Sequence, residues 1–446
     1  MSRSMKLSRY VAASDCLTAA RSGFRGRLVF STRSGNLMRL TEAAWQTLLA
    51  DDIDAIGDEQ RGVLAQAGIL VDRSEDEFAA VVRENQAAVD ANDVLYQVIQ
   101  PSAWCELACG GCGQAHEKTL KSELMREDFL ARVESRLASG RYRELRIGWF
   151  GAEPLTGIAV MRDMSPRLMT LAARHGCGYS ARLVTSGLGL TPKVARELAQ
   201  CHGVREVEIA LNGDPKTHGR RRPGTNGKES FAAIFRNLCL IAAASNLGIT
   251  LRCNVTRENA TAVSGLIERI AEAGLAGRIR FYVSSVCASG AAAHDTALDP
   301  KTLADAEVEW LALQARLGYQ PALLPQRRKI VCLSVQHDAE VVDAHGGNNC
   351  TETPCVPAHG QPDRHAVSFP VKVITQTQMQ PAQRLKAFNA QLLNGEHRQC
   401  AACAMLPVCG GQCPKSWHEG MAPCPSTKHN IRHRLNLLFA LDELAK

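Results

Sequence analysis

Three thiols crowd one short stretch, Cys105-Glu-Leu-Ala-Cys109-Gly-Gly-Cys112. Thiolates this close, on a loop whose glycines let it wrap a compact group, suit three irons of an iron–sulfur cube and leave its fourth iron open. Zinc competes for thiolates, but it ordinarily takes four ligands from paired Cys-x2-Cys knuckles. His116 is the nearest further donor, and a histidine in such a loop more often hydrogen-bonds or faces solvent. A second group follows downstream, Cys400-x2-Cys403-x5-Cys409-x3-Cys413, with Cys424 beyond it and Cys332 and Cys350 before it. These seven thiols exceed what one tetrahedral ion can use, and two zinc sites or two iron–sulfur clusters both fit. The first triad favours iron for both regions.

Elements must position these loops. At 446 residues the chain has room for about three domains, and 45% hydrophobic with 22% charged residues is ordinary globular composition. No apolar run approaches the roughly 20 residues that span a bilayer, and the opening MSRSMKLSRY lacks a signal peptide's apolar stretch. A cytoplasmic chain without a membrane partner is therefore expected, and in a reducing compartment its 17 cysteines point to metal rather than to disulfides. The charge of +7 is spread along the chain and argues against a nucleic-acid partner.

Residues 1–95 read as one unit, with strands over 27–31 and 37–40 and helices over 42–49, 58–66 and up to about Asp90. Leu64, Ile69, Leu70 and Val71 are its candidate core, and strands followed by helices suggest a winged-helix-like domain. From Tyr96 strands alternate with amphipathic helices, the pattern of an α/β fold with a parallel sheet. The predicted strands are 96–101, 144–151, 179–187, 204–213, 249–256 and 278–286. Helices are predicted over 122–139, 160–175, 192–201, 230–245, 260–273 and 303–317. Chemistry is expected at the C-terminal strand ends. After about Pro321 the periodicity fades into a cysteine-rich region that bound metal would order, before a final helix over 428–444.

Cys-x3-Cys-x2-Cys after the first strand of this series, followed by WFGAEPL at 149–155, resembles the radical S-adenosylmethionine (radical SAM) enzymes. The cysteines from Cys332 to Cys424 resemble their SPASM extension. The resemblance covers residues 96–446 and implies a partial (β/α)6 barrel over 96–320 and a SPASM domain over 321–446 with two auxiliary [4Fe–4S] clusters, three clusters in all. It implies that Cys105, Cys109 and Cys112 hold the catalytic cluster, whose open iron takes the amine and carboxylate of SAM. An electron then cleaves SAM to methionine and a 5′-deoxyadenosyl radical, and an external one-electron reductant such as flavodoxin or ferredoxin is implied as a partner.

The same resemblance assigns the flanking residues. Phe150, Gly151, Ala152, Glu153 and Pro154 lie where the family's GGEP stretch binds the SAM amine, with Ala152 replacing a glycine. Thr185 and Ser186 match a stretch near the ribose, and Ala210 and Asn212 lie on the fourth-strand pattern. Ala210 lacks the hydroxyl usual there, and Gly111 stands where an aromatic residue often meets adenine. Arg252 is a candidate partner for the SAM carboxylate. Cys400, Cys403, Cys409 and Cys424 correspond to one auxiliary cluster and Cys332, Cys350 and Cys413 to the other, whose fourth vertex is Cys355 or open. Glu117, Asp214, His218 and His345 are candidate proton acceptors.

Residues 1–95 resemble the recognition element that captures a leader peptide as an added strand in many such maturases. The strand over 27–31 or that over 37–40 would offer the edge. Together these resemblances imply an enzyme that holds a ribosomally made precursor peptide and installs a thioether, carbon–carbon or ether crosslink. The competing readings are a maturase of a full-size protein, of the sulfatase or quinoprotein type, and a non-catalytic zinc or iron–sulfur adaptor.

Overall fold

The computed structural model describes residues 4–20, 23–109, 118, 120, 122–225, 227, 229–285, 297–345, 388, 398–418 and 422–445. The chain opens with β1 (Met5–Leu7), β2 (Val11–Ala13), β3 (Leu17–Thr18), β4 (Arg25–Ser31) and β5 (Leu37–Thr41). Then come α1 (Glu42–Leu49), α2 (Asp58–Gln66), β6 (Leu70–Asp72) and α3 (Glu77–Asp90). β4 pairs antiparallel with β2 and β3 on one side and β5 on the other, while β1 pairs with β6. Residues 27–31 thus lie inside their sheet and offer no edge; of the two strands expected to do so, only β5 does. Leu64, Ile69 and Leu70 close the small core with Trp45, Leu48 and Val29, whereas Val71 is only half-buried.

The central layer is a seven-stranded parallel sheet. Its strands are β7 (Val94–Ile99), β8 (Glu144–Trp149), β9 (Gly178–Thr185), β10 (Val204–Ala210), β11 (Gly248–Val255), β12 (Arg280–Ser285) and β13 (Glu340–Val342), the last lying beside β7. Between them run α4 (Glu123–Leu137), α5 (Ile158–Arg174), α6 (Pro192–Cys201), α7 (Pro215–Arg221), α8 (Phe231–Ala244) and α9 (Val263–Glu272). Local chemistry sets several helix starts: Thr191, Asp214 and Asp299 each accept an amide from the first turn, and a proline follows each cap. One strand face, with Leu183, Ile209, Leu251 and Cys253, packs under the helices in the main core. The alternate positions Arg182, Glu208, Arg252 and Tyr282 join one another on the opposite, inward face.

Elsewhere the elements depart from the sequence reading. The strands stop before their predicted ends, because residues such as Pro101, Phe150, Ser186 and Asn212 leave the sheet to build loops. α7 and β13 were not expected, being too short to show a period. No helix among the described residues is long and apolar enough to cross a membrane.

The final helix, Thr427–Ala445, docks Leu435 and Phe439 against Leu28 and Phe30 of β4. A buried polar knot ties the same helix to Pro300–Arg316: Arg434 meets Glu307 at 2.6 Å, and Asn430 Nδ2 donates to Glu307 and to the Ala304 carbonyl, both at 2.9 Å. Glu307→Ala would leave the Arg434 guanidinium buried without its counter-charge, so a loss of about 3 kcal/mol is expected in urea denaturation. A loss under about 1 kcal/mol would show that water reaches Arg434.

Candidate functional site

The cysteine loop leaves β7 at the C-terminal end of the sheet, where the parallel strands aim their loops. Cys105 is buried, its Sγ accepting the Leu107 amide at 3.5 Å, and Cys109 is half-buried. Burial first, then the nearby charge of Glu153, pushes the Cys105 thiol up to about 11, against the lowering effect of the Leu107 amide. Cys112, with Gly111, His116 and Glu117, lies outside the described residues.

The stretch after β8 braces this loop. Phe150 donates its amide to Ile99, and the Glu153 amide donates to the Trp104 carbonyl at 3.1 Å, beside Cys105. The Glu153 carboxylate, fully shielded from water, accepts Thr185 Oγ1 at 2.6 Å, the Ser186 amide at 2.6 Å and the Leu155 amide at 3.1 Å. Three of its roughly four acceptor positions are thereby spent joining the ends of β8 and β9. Pro154 begins the short 3₁₀ turn that Glu153 caps. Gly151 has φ +97°, and Ala152 follows at φ +45°, a left-handed backbone in a side-chain-bearing residue.

Across the sheet, Ala210 is buried and its carbonyl accepts Arg222 at 2.6 Å, while Asn212 Oδ1 accepts the Asn254 amide at 3.1 Å. Arg252 pairs with Glu208 at 2.9 Å, and Glu208 also takes Arg182 and Tyr282 at 3.2 Å. The Nε of Arg252 is nevertheless buried without a partner among the described residues. A donor left over in a buried, charged setting fits an anionic group such as a carboxylate. The Glu208 cluster was missed from sequence; its signal was period-two polarity in strands whose other positions are apolar.

The candidate proton acceptors fare differently. His218 is fully buried, and burial followed by the Arg222 charge lowers it to about 3. Its Nδ1 accepts the Asn212 amide and its Nε2 faces Ser230 Oγ, both at 3.1 Å, so it is occupied structurally. Asp214 caps α7, the Thr217 amide holding its carboxyl below its ordinary value. His345 stands beyond β13, its amide donating to Asp343.

In the C-terminal region Cys400, Cys403, Cys409 and Cys424 line one cavity with Met405, Leu406 and Lys428. Burial first, then Cys409, Cys424 and Cys403, pushes the Cys400 thiol up to about 12. Lys428 Nζ donates to Cys424 Sγ at 3.4 Å, and the Gly411 amide to Cys409 Sγ at the same distance. Among the described residues no three Cys, His, Asp or Glu side chains are grouped for a single metal ion. Four thiols around a shared cavity fit the donor set of a polynuclear cluster. Cys332 and Cys413 are half-buried and lie off this cavity, while Cys350 and Cys355 fall outside the described residues. Of the cysteines without an expected role, Cys177 and Cys253 are buried in the main core, whereas Cys201 is exposed.

Solved structures now supply a comparison. Native anSMEcpe with bound AdoMet aligns over 78% of this chain and 100% of its own, at 15% identity and a TM-score of 0.52. Native anSMEcpe with AdoMet and the Cp18Cys peptide aligns over 79% and 99%, at 15% identity and a TM-score of 0.51. The chain has the radical SAM fold. SuiB of Streptococcus suis bound to its precursor peptide SuiA aligns over 93% and 97%, at 13% identity and a TM-score of 0.44. No protein-family model matches the chain, and no curated protein sequence matches it. Within this fold the cysteine loop, the Glu153 brace and the Arg252 cluster share the C-terminal mouth of the barrel.

Two outcomes follow from this geometry. Gly410 is left-handed at φ +60°, and a Cβ there would sit 2.1 Å from Val331 and 2.9 Å from the Arg328 carbonyl. Gly410→Ala is therefore expected to cost about 3 kcal/mol of stability in denaturant; an unchanged midpoint would show that the turn after Cys409 can shift freely. Because His218 falls from 6.5 unfolded to about 3 folded, the unfolded chain takes up a proton that the folded chain refuses. Its contribution is fully present above pH 6.5 and is lost as pH falls toward 3, so His218→Gln should show a shallower fall in Tm across that window. Equal slopes would mean that the ring titrates freely.

Proposed function

We propose that the chain is a radical SAM peptide maturase. The observation that carries this reading is the presence, in one chain, of a cysteine loop at the mouth of a parallel barrel and a separate four-thiol cavity beyond it. In this reading Cys105, Cys109 and Cys112 hold the catalytic [4Fe–4S] cluster, and Cys400, Cys403, Cys409 and Cys424 hold one of two auxiliary clusters. Cys332, Cys350 and Cys413 serve the other. With SAM bound, the cluster supplies a 5′-deoxyadenosyl radical that abstracts substrate hydrogen.

The chain's own residues orient and shield that chemistry. The backbone of residues 150–152 would hold the SAM amine, Thr185, Ser186 and Asn212 would lie on the ribose side, and Arg252 Nε would be left to pair with the carboxylate. The anSMEcpe structures, described with AdoMet and with peptides, support SAM as cofactor and a peptide as substrate. Residues 1–95 would bind the leader of a ribosomally made precursor, with β5 as the available edge. Residues 96–320 would form the catalytic barrel and 321–446 the auxiliary-cluster domain, which lends β13 to the barrel's sheet beside β7. The enzyme would work in the cytoplasm with flavodoxin or ferredoxin as reductant. The product would be a crosslinked peptide, and the thiols of the C-terminal region would hold auxiliary clusters able to serve as an electron acceptor for that oxidation.

Reduced, iron-loaded enzyme given SAM and its precursor should yield 5′-deoxyadenosine and a peptide about two mass units lighter, the two hydrogens lost in an oxidative crosslink. Replacing Cys105, Cys109 and Cys112 together by alanine should abolish 5′-deoxyadenosine formation; its persistence would overturn the assignment. Protein loaded with zinc and devoid of sulfide would point instead to an adaptor.

A further inference from the structure

A hydrogen-bonded chain runs from the end of β10 to the cysteine loop. Its first member is His218 on α7, whose Nδ1 accepts the Asn212 amide at 3.1 Å. A neutral ring that accepts at Nδ1 carries its proton on Nε2, and Nε2 lies 3.1 Å from Ser230 Oγ. The Ser230 hydroxyl in turn donates to the Arg222 carbonyl at 2.6 Å. Arg222 points its side chain the other way, onto the Ala210 carbonyl at 2.6 Å. Each link thus has one donor and one acceptor, and Phe231 closes the imidazole from water, its ring edge-on at 5.6 Å.

The backbone that this relay holds makes the next contact. Residues 223–225 run antiparallel to residues 106–108: the Ala108 amide donates to the Pro223 carbonyl at 2.8 Å, and the Thr225 amide to the Glu106 carbonyl at 2.9 Å. Leu107, fully buried, sits opposite Gly224. Residues 106–108 are the three that separate Cys105 from Cys109. A free loop would lose backbone freedom at each of these residues on binding a rigid cluster. The clamp removes that cost in advance for this segment.

We infer that His218 is a positioning residue: its neutral ring closes a latch, through Ser230 and residues 222–225, that fixes the spacing of Cys105 and Cys109 for cluster binding. This rests on the proposed cluster role of those two thiols, but the latch itself can be read without it.

The test is hydrogen–deuterium exchange on the full-length chain, comparing the wild type with His218→Ala and, should that variant fold poorly, Ser230→Ala. Amides in residues 105–109 and 222–230 should exchange about tenfold faster in either variant, with β8 and β9 unchanged. Unchanged protection in a folded variant overturns the latch. In iron-loaded protein the electron paramagnetic resonance signal removed by Cys105→Ala should be weakened by the variants, while the signal removed by Cys400→Ala persists. A faster-exchanging loop that still binds its full cluster overturns the positioning role. If Cys105→Ala removes no signal even in wild-type background, the cluster reading itself has failed, and that outcome is separate because the exchange data still stand.

Discussion

The Glu153 carboxylate holds the mouth of the barrel together. A carboxylate removed from water is costly unless its oxygens are hydrogen-bonded, and here the donors come from the end of β9 and from the turn that Glu153 itself begins. Thr185 and Ser186 lie at the end of β9 and Leu155 just after β8, while the Glu153 amide reaches back to Trp104, beside Cys105. Strands that twist apart at their C-terminal ends are thereby tied at the point where chemistry is expected. The Thr185–Ser186 turn is fixed by the Glu153 carboxylate, and the start of the cysteine loop by the backbone amide of the same residue. Thr156 reinforces it, its Oγ1 lying 2.8 Å from Ser102 Oγ and 3.1 Å from the Trp104 carbonyl.

The inward face of the sheet follows a different rule from the outward face. Outward positions are aliphatic and pack under helices; inward ones place Glu208 among Arg252, Arg182 and Tyr282. Such a network leaves the barrel interior polar, suited to a charged small molecule rather than to the layered aliphatic filling of a closed eight-stranded barrel.

Much of this was legible in the residues. Thr191-Pro192 writes a cap followed by a ring locked at helical φ, and the helix expected from Pro192 begins there; the same signal at Asp214-Pro215 and Asp299-Pro300 went unread. The alternation of strands with amphipathic helices from Tyr96 onward declared a parallel sheet. What escaped reading was short or long-range. β1, β2, β3 and β6 span two or three residues each, too few for a period, and exist only through pairing with distant strands. The roles of Glu153 and His218 depend on which loops meet, so their identity suggested a charge and a proton acceptor where the fold uses a brace and a hydrogen-bond relay.

The N-terminal sheets do not stand apart from the thiol cavity. Tyr10, fully buried, and Val81 of α3 share a core with Cys400 and Cys409, and Leu28 and Phe30 of β4 pack with Met405 and Val408. Thr32 Oγ1 adds a hydrogen bond of 2.5 Å to the Ala404 carbonyl, midway between Cys403 and the short helix Leu406–Cys409. A boundary that looks clean along the sequence therefore runs, in space, through two hydrophobic clusters that both ends of the chain build. Exchanging the first ninety or so residues for those of another protein would replace part of the inner wall around the thiols as well as the front of the molecule, so the two ends of this chain can change only in concert.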